Sequence, residues 1–128
     1  MKFDKNFFIP QKFSSTELDK YKLSAKRNLD IANGSEDPEV AFHFSFMALV
    51  KMGIYCLAKA GYRVKSRPGH HQKIIEQLSH VLRSEEILMI GDKMRKDRNL
   101  DFYGADVVCS LEETREYLEF VNKVFKKV

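Results

Sequence analysis

The sequence predicts an all-α fold, an antiparallel bundle of about five helices. Helix-start signals recur along the chain, and apolar residues follow each of them at spacings of three and four. No segment alternates apolar and polar residues between hairpin turns. A chain of 128 residues, 44% hydrophobic and 31% charged, has the composition of one globular domain. We therefore expect an N-terminal strap over residues 1–13 and a helical bundle over residues 14–128.

The strap and the first helix meet at a clear start signal. Ser14 and Glu17 have the spacing of a capping box, in which each side chain binds the backbone of the other residue. Gly34 is expected to end this helix in a left-handed conformation. The strap is rich in phenylalanine and has no clear period, so we expect an extended segment whose aromatic rings pack on the bundle, with no sheet.

The second helix begins at Asp37-Pro38-Glu39, because proline suits the first helical position and an acid suits the first turn. It is expected to run to about Ala60 and to stop at Gly61. Its apolar residues cover almost the whole circumference. Such a helix is either the central helix of the bundle or one that also faces a second subunit, and we expect a homodimer.

Three further helices follow. The third is predicted over 70–82, and the fourth is predicted to start after Ser84 and to continue through Asn99. Residues 100–109 are expected to form a connection with a turn at Gly104. Ser110 then begins the fifth helix, with another capping box.

Composition and charge narrow the classes of function. The longest unbroken apolar run has five residues, far short of the roughly 20 that a membrane helix needs. We expect a cytoplasmic protein whose two cysteines are free thiols. The formal charge is +4, and residues 63–98 carry all of it, with nine basic and five acidic side chains. This excess fits either a nucleic-acid surface or an ordinary solvated face.

The end of the fourth helix holds the strongest candidate site. Arg95 lies three residues after Asp92 and four before Asn99, so these three share a helix face, with Arg98 beside it. Two guanidinium groups and an amide could clamp a phosphate or a carboxylate. The alternative is that the arginines pair locally with Asp92 and Asp97. No ligand spacing predicts a metal site, and no cofactor is expected.

The Arg98-Asn99 pair, followed by a connection and a final capped helix, resembles the HEPN family of small helical bundles. The resemblance covers roughly residues 15–126 and implies a dimeric bundle. Many HEPN proteins are metal-independent RNases, often toxins, in which a histidine follows the arginine after four to six residues. Here Tyr103 stands at that place. Tyrosine titrates near 10, so it is a poor general base at neutral pH.

These observations favour a non-catalytic binding module that holds RNA, a nucleotide or a nucleotide-bearing partner. The predicted anion-binding residues are Arg63, Lys65, Arg67, His70, Arg95, Arg98 and Asn99. One alternative is an endoribonuclease with an atypical site, using Arg98 and Asn99 with Tyr103 or a histidine from elsewhere. Another is a partner subunit of a nucleotidyltransferase that makes no contact with nucleic acid.

Overall fold

The computed structural model describes residues 4–103 and 110–128, with side chains described for residues 4–99 and 110–128. The described elements are β1 (Phe8–Pro10), α1 (Ser15–Gly34), α2 (Pro38–Lys59), β2 (Tyr62–Val64), α3 (His70–Val81), α4 (Glu85–Tyr103) and α5 (Leu111–Lys127). Five helices dominate the described chain, which confirms the predicted all-α class.

The central element of the bundle is α2. It contacts the other four helices and β2, and Phe46, Leu49 and Met52 on it are fully buried. Among the described residues, α2 is also the helix long and apolar enough to span a membrane, but 61% of that stretch is buried inside the chain. The helix therefore has the burial of a core helix in a soluble protein, and its apolar circumference is covered largely by its own chain.

Two helical glycines let α3 pack closely on its neighbours. A Cβ atom added at Gly53 of α2 would clash with the Ile74 side chain and lie 3.1 Å from the Ile74 carbonyl oxygen. A Cβ atom added at Gly91 of α4 would lie 2.7 Å from Cγ2 of Ile75. The absence of a side chain at both positions fixes α3 against α2 and α4.

The strap forms a short sheet, so the expectation of no sheet was wrong. β1 pairs antiparallel with β2, with Phe8 opposite Val64, and Phe8 is 1% exposed. Gly61, at a φ of 88°, ends α2 as predicted and turns the chain toward the strap. Once Phe8 is buried, the backbone around it needs hydrogen-bond partners, and β2 supplies them.

The described helices confirm some of the predicted helix boundaries and correct others. The capping box at Ser14 and Glu17 is confirmed, with bonds of 3.0 and 3.1 Å. Gly34 remains helical and the chain leaves the helix at Ser35, with a φ of −94°, so the predicted left-handed conformation was wrong. α4 continues to Tyr103, so the predicted start of the connection at residue 100 was wrong; neither proline nor glycine occurs between Asn99 and Gly104 to end the helix earlier. The rest of the predicted connection, with Gly104 and Cys109, lies outside the described residues.

Candidate functional site

The start of α3 lies beside the end of α4 and forms a groove with it. The two helices pack together and are joined by the short turn over 82–84. The groove, called the Arg–His groove below, has a volume of about 660 Å³ and is lined by Ser66, Arg67, Pro68, Gly69, His70, His71, Gln72, Arg95, Arg98 and Asn99. None of these described lining residues is acidic, and three are arginines.

Arg95 lies at the α4 side of the Arg–His groove and is held by Asp92. Its Nε and Nη2 atoms donate to Oδ1 of Asp92 at 3.1 and 2.9 Å, and Lys96 lies 3.2 Å from the same carboxylate. Burial acts to raise the pKa of Asp92, but the hydrogen bonds from Arg95 and Lys96 outweigh it and hold that pKa below its usual value. The predicted local pairing of Arg95 is therefore observed, and it orients the guanidinium at the groove.

Arg98 and His71 both rest on the buried ring of Phe46. The Arg98 guanidinium lies 5.7 Å from the centre of that ring, a distance at which cation–π attraction operates. The His71 ring meets the same phenyl ring edge-on, also at 5.7 Å. Phe46 is itself 0% exposed, so one rigid core residue supports a side chain from each of the two helices that form the groove.

His71 has an unusual acid–base character for a histidine. Burial lowers its pKa to about 4, and the neighbouring His70, Arg98 and Arg95 contribute to that shift. Its imidazole is therefore neutral at pH 7. The His70 ring lies 4.2 Å from it, and Nδ1 of His70 is 2.7 Å from the Arg67 carbonyl oxygen.

The opposite wall of the groove is a loop that the strap holds in place. The Arg67 guanidinium donates to the Asn6 carbonyl oxygen at 2.8 Å and lies 5.3 Å from the ring of Phe7. The backbone N–H of Lys65 donates to the Phe7 carbonyl oxygen at 2.7 Å. Gly69, with a φ of 84°, then precedes α3 at the N-cap position and provides no side-chain cap.

The structure brings together five of the seven predicted anion-binding residues, namely Arg67, His70, Arg95, Arg98 and Asn99. Arg63 and Lys65 do not line the Arg–His groove, because β2 is paired with the strap before the loop turns toward α4. The predicted site also lacked His71 as a named member. Tyr103 belongs to α4 by its backbone, and its side chain lies outside the described part of the chain.

Asp97 has a different role from the one predicted. It accepts a hydrogen bond from the Tyr117 hydroxyl at 2.6 Å and lies 3.7 Å from Nζ of Lys93. Lys93 in turn donates to the same hydroxyl at 2.6 Å. The contacts with Tyr117 join α4 to α5 across 20 or more positions in sequence, beyond the reach of a local pattern.

Comparisons of the chain with family models, with curated proteins and with solved structures gave no match.

Proposed function

We propose that the protein is a non-catalytic binding module that holds nucleic acid by its phosphate groups in the Arg–His groove. The observation that supports this most directly is the convergence of Arg95 and Arg98 from α4 with Arg67 from the opposite wall on one concave surface. Guanidinium groups match phosphate oxygens in geometry and keep their charge at any physiological pH.

The first turn of α3 adds to the attraction for anions. Gly69, His70, His71 and Gln72 line the groove, and the helix begins without a side-chain cap. The backbone N–H of His70 donates to the Arg67 carbonyl oxygen at 3.0 Å, and the positive end of the helix dipole favours negative charge at this position. The helix terminus, and the absence of acids among the described lining residues, thus act in the same direction as the arginines.

A binding experiment with matched variants tests the proposal. A fluorescent single-stranded RNA should bind weakly, with an affinity that falls steeply between about 50 and about 200 mM salt. Removing Arg98 should weaken binding and reduce the logarithmic salt slope by about 0.7, the value for one phosphate contact on a single strand. Arg27→Ala is the control, because Arg27 is exposed on α1 and away from the groove.

Equal binding by wild type, Arg95→Ala/Arg98→Ala and Arg27→Ala would contradict the proposal. A complete lack of binding at low salt would also contradict it, and would favour a partner subunit that makes no contact with nucleic acid.

Endoribonuclease activity is the second candidate, because His70 and His71 lie in the same groove as Arg98 and Asn99. A histidine could then supply the proton transfer that Tyr103 performs poorly. However, a base with a pKa of about 4, as in His71, is much weaker than one matched to neutral pH. Cleavage of labelled RNA in the presence of a chelator, lost in His70→Ala or His71→Ala, would favour this candidate over simple binding.

Membership of the HEPN family, a homodimeric state and a cytoplasmic location form the remaining part of the proposal. The five-helix order and Arg98-Asn99 near the end of the fourth helix support membership of the family. The burial of the most apolar helix inside the bundle supports the location, and the exposed apolar side chains of Leu23 and Met89 support the homodimer. Mass measurement in solution and a search for nucleotidyltransferase partners by co-purification would test them.

A further inference from the structure

Exposed apolar side chains are concentrated where α3 turns into α4. Met89 is 69% exposed, and Val81 and Leu88 are 37% and 38% exposed. A depression on this part of α4 is lined by Glu85, Glu86, Leu88, Met89 and Ile90. The surface over residues 81–90 is called the α3–α4 corner below. Apolar side chains that cluster in this way on a surface mark a contact with another protein.

The turn inside the α3–α4 corner holds an arginine in a strained backbone conformation. Arg83 has a φ of 51°, in the left-handed region that glycine usually supplies at the end of a helix. Its N–H donates to the His80 carbonyl oxygen at 3.3 Å. The N–H of Ser84 donates to the Ser79 carbonyl oxygen at 3.0 Å, which completes a Schellman motif. Strain that is retained at a side chain where glycine would relieve it points to a use for that side chain.

The charges of the α3–α4 corner have no ion-pair partner within the described chain. Arg83, Glu85 and Glu86 are exposed and take part in none of the salt bridges between described residues. On α1, by contrast, Lys26 and Asp30 pair at 3.0 Å within their own helix. Both signs of charge therefore flank one apolar surface at the corner, and neither neutralises the other.

On the basis of the proposed homodimer, we infer that the α3–α4 corner is the interface between two copies of this chain. A two-fold interface uses the same surface on both sides, so that surface must be complementary to itself. The corner meets this requirement, because it carries both members of each ion pair beside its apolar contact. Arg83 of one copy faces Glu85 and Glu86 of the other, and Met89 packs at the centre.

This interface leaves the Arg–His groove accessible in both copies. The groove lies at the other ends of the same two helices, and Arg95 lies ten residues after Glu85, about 15 Å along α4. Two chains that join at the corner therefore carry their grooves at opposite ends of the dimer. Each groove binds its ligand independently of the other.

Sedimentation equilibrium of the intact protein at tens of micromolar tests the inference with two matched variants. Met89→Asp places a charge in the apolar contact, so the dissociation constant of the dimer should rise roughly ten-fold or more. Leu23→Asp is the control, because Leu23 is 64% exposed but lies on α1. Its dissociation constant should stay within about two-fold of the wild-type value. Circular dichroism of both variants would show that they are folded.

An exchange of charges tests the ionic part of the interface. Arg83→Glu alone, and Glu85→Lys/Glu86→Lys alone, each bring like charges together, so each variant should be mainly monomeric. An equal mixture of the two should dimerise again, because the ion pairs are restored with their signs reversed. Arg83→Gly suits the left-handed turn, so it should weaken the dimer without lowering the stability of the fold.

Three results would overturn the inference. A dimer that Met89→Asp leaves intact, or that Leu23→Asp disrupts as strongly, would reject the α3–α4 corner as the interface, while the proposed homodimer would stand. A mixture of the two charge-exchanged variants that stays monomeric would reject the corner in the same way. Wild-type protein that is monomeric at tens of micromolar would reject both the homodimer and this interface.

Discussion

Among single residues, His71 shows most clearly how the surroundings of a side chain determine its protonation. Its ring packs on Phe46 and faces Arg95, Arg98 and His70. Loss of hydration and the nearby positive charges both disfavour the imidazolium form. The groove therefore contains a neutral histidine at pH 7, which can accept a hydrogen bond from a ligand but adds no positive charge.

Because the pKa of His71 is low in the folded protein, we expect the free energy of unfolding to depend on pH. Its pKa is about 4 in the folded protein and about 6.5 when unfolded. Between these values the unfolded chain binds more protons, so this contribution to stability is complete above about pH 6.5 and is lost as the pH falls toward 4. Urea unfolding across this range should show a flatter profile for His71→Phe, which keeps a ring on Phe46.

His80→Phe is the control, because His80 is exposed on the same helix. A His71→Phe profile as steep as that of the wild type would show that His71 does not titrate in this way.

The residues of the site are predictable from sequence where they follow one another on a helix. The spacing of Asp92, Arg95 and Asn99 by three and four residues is enough to place them on one face. The position of His71 could also have been predicted. Two helices that are joined by a short turn, here over 82–84, run antiparallel, so residues at equal distances from the turn lie side by side. The link between Asp97 and Tyr117 depends on how α5 docks, which no local pattern specifies.

At the scale of the helices and strands, local signals predicted the helices well and the sheet not at all. A capping residue acts within one turn of its helix, so Ser14 and Ser110 could be recognised from sequence. β1 and β2 have three residues each and pair across more than 50 positions. Such short segments show no alternating pattern, and their pairing accompanies the burial of Phe8 in the core.

Gly53 leaves no room for a side chain between α2 and α3. A methyl group there would press on Ile74, and overpacking of this kind costs about 1–3 kcal/mol. The higher helix propensity of alanine returns about 1 kcal/mol, so Gly53→Ala should lower the free energy of unfolding. Urea titration would measure the change.

Gly34→Ala is the matched control, because no atom lies within 4 Å of the position that a Cβ would occupy. It should be neutral or slightly stabilising. If both variants are equally stable, the close approach of α2 and α3 is wrong.

The strap supports one of the arginines that line the Arg–His groove. The ring of Phe7 lies against the Arg67 guanidinium, so Phe7→Ala should release that side chain and weaken anion binding several-fold, which corresponds to about 1 kcal/mol. Phe13→Ala, at a strap residue that packs on Tyr21 instead, should leave binding unchanged. Oligonucleotide titration of the two variants would decide, and equal losses would contradict a role for the strap in holding the groove.

At the scale of the whole molecule, the number of subunits remains a prediction. The sequence argument for a homodimer was that α2 has more apolar surface than one small bundle covers, yet α2 is covered largely by its own chain. Exposed apolar side chains occur instead on α1 and α4, at Leu23 and Met89, which are 64% and 69% exposed. Sedimentation equilibrium should show a dimer at tens of micromolar, and a single species of 14.9 kDa would contradict it.

Anion binding between the start of α3 and the end of α4 underlies the proposed function. Amide chemical shifts in a ¹⁵N-labelled sample, recorded during titration with a short 5′-phosphorylated RNA at low salt, would locate the binding site. We expect the largest shifts at residues 66–72 and 95–99, with saturation at one ligand per chain and loss of the shifts in Arg95→Ala/Arg98→Ala. Shifts that centre on α1 or α5, or no shifts at all, would contradict the account.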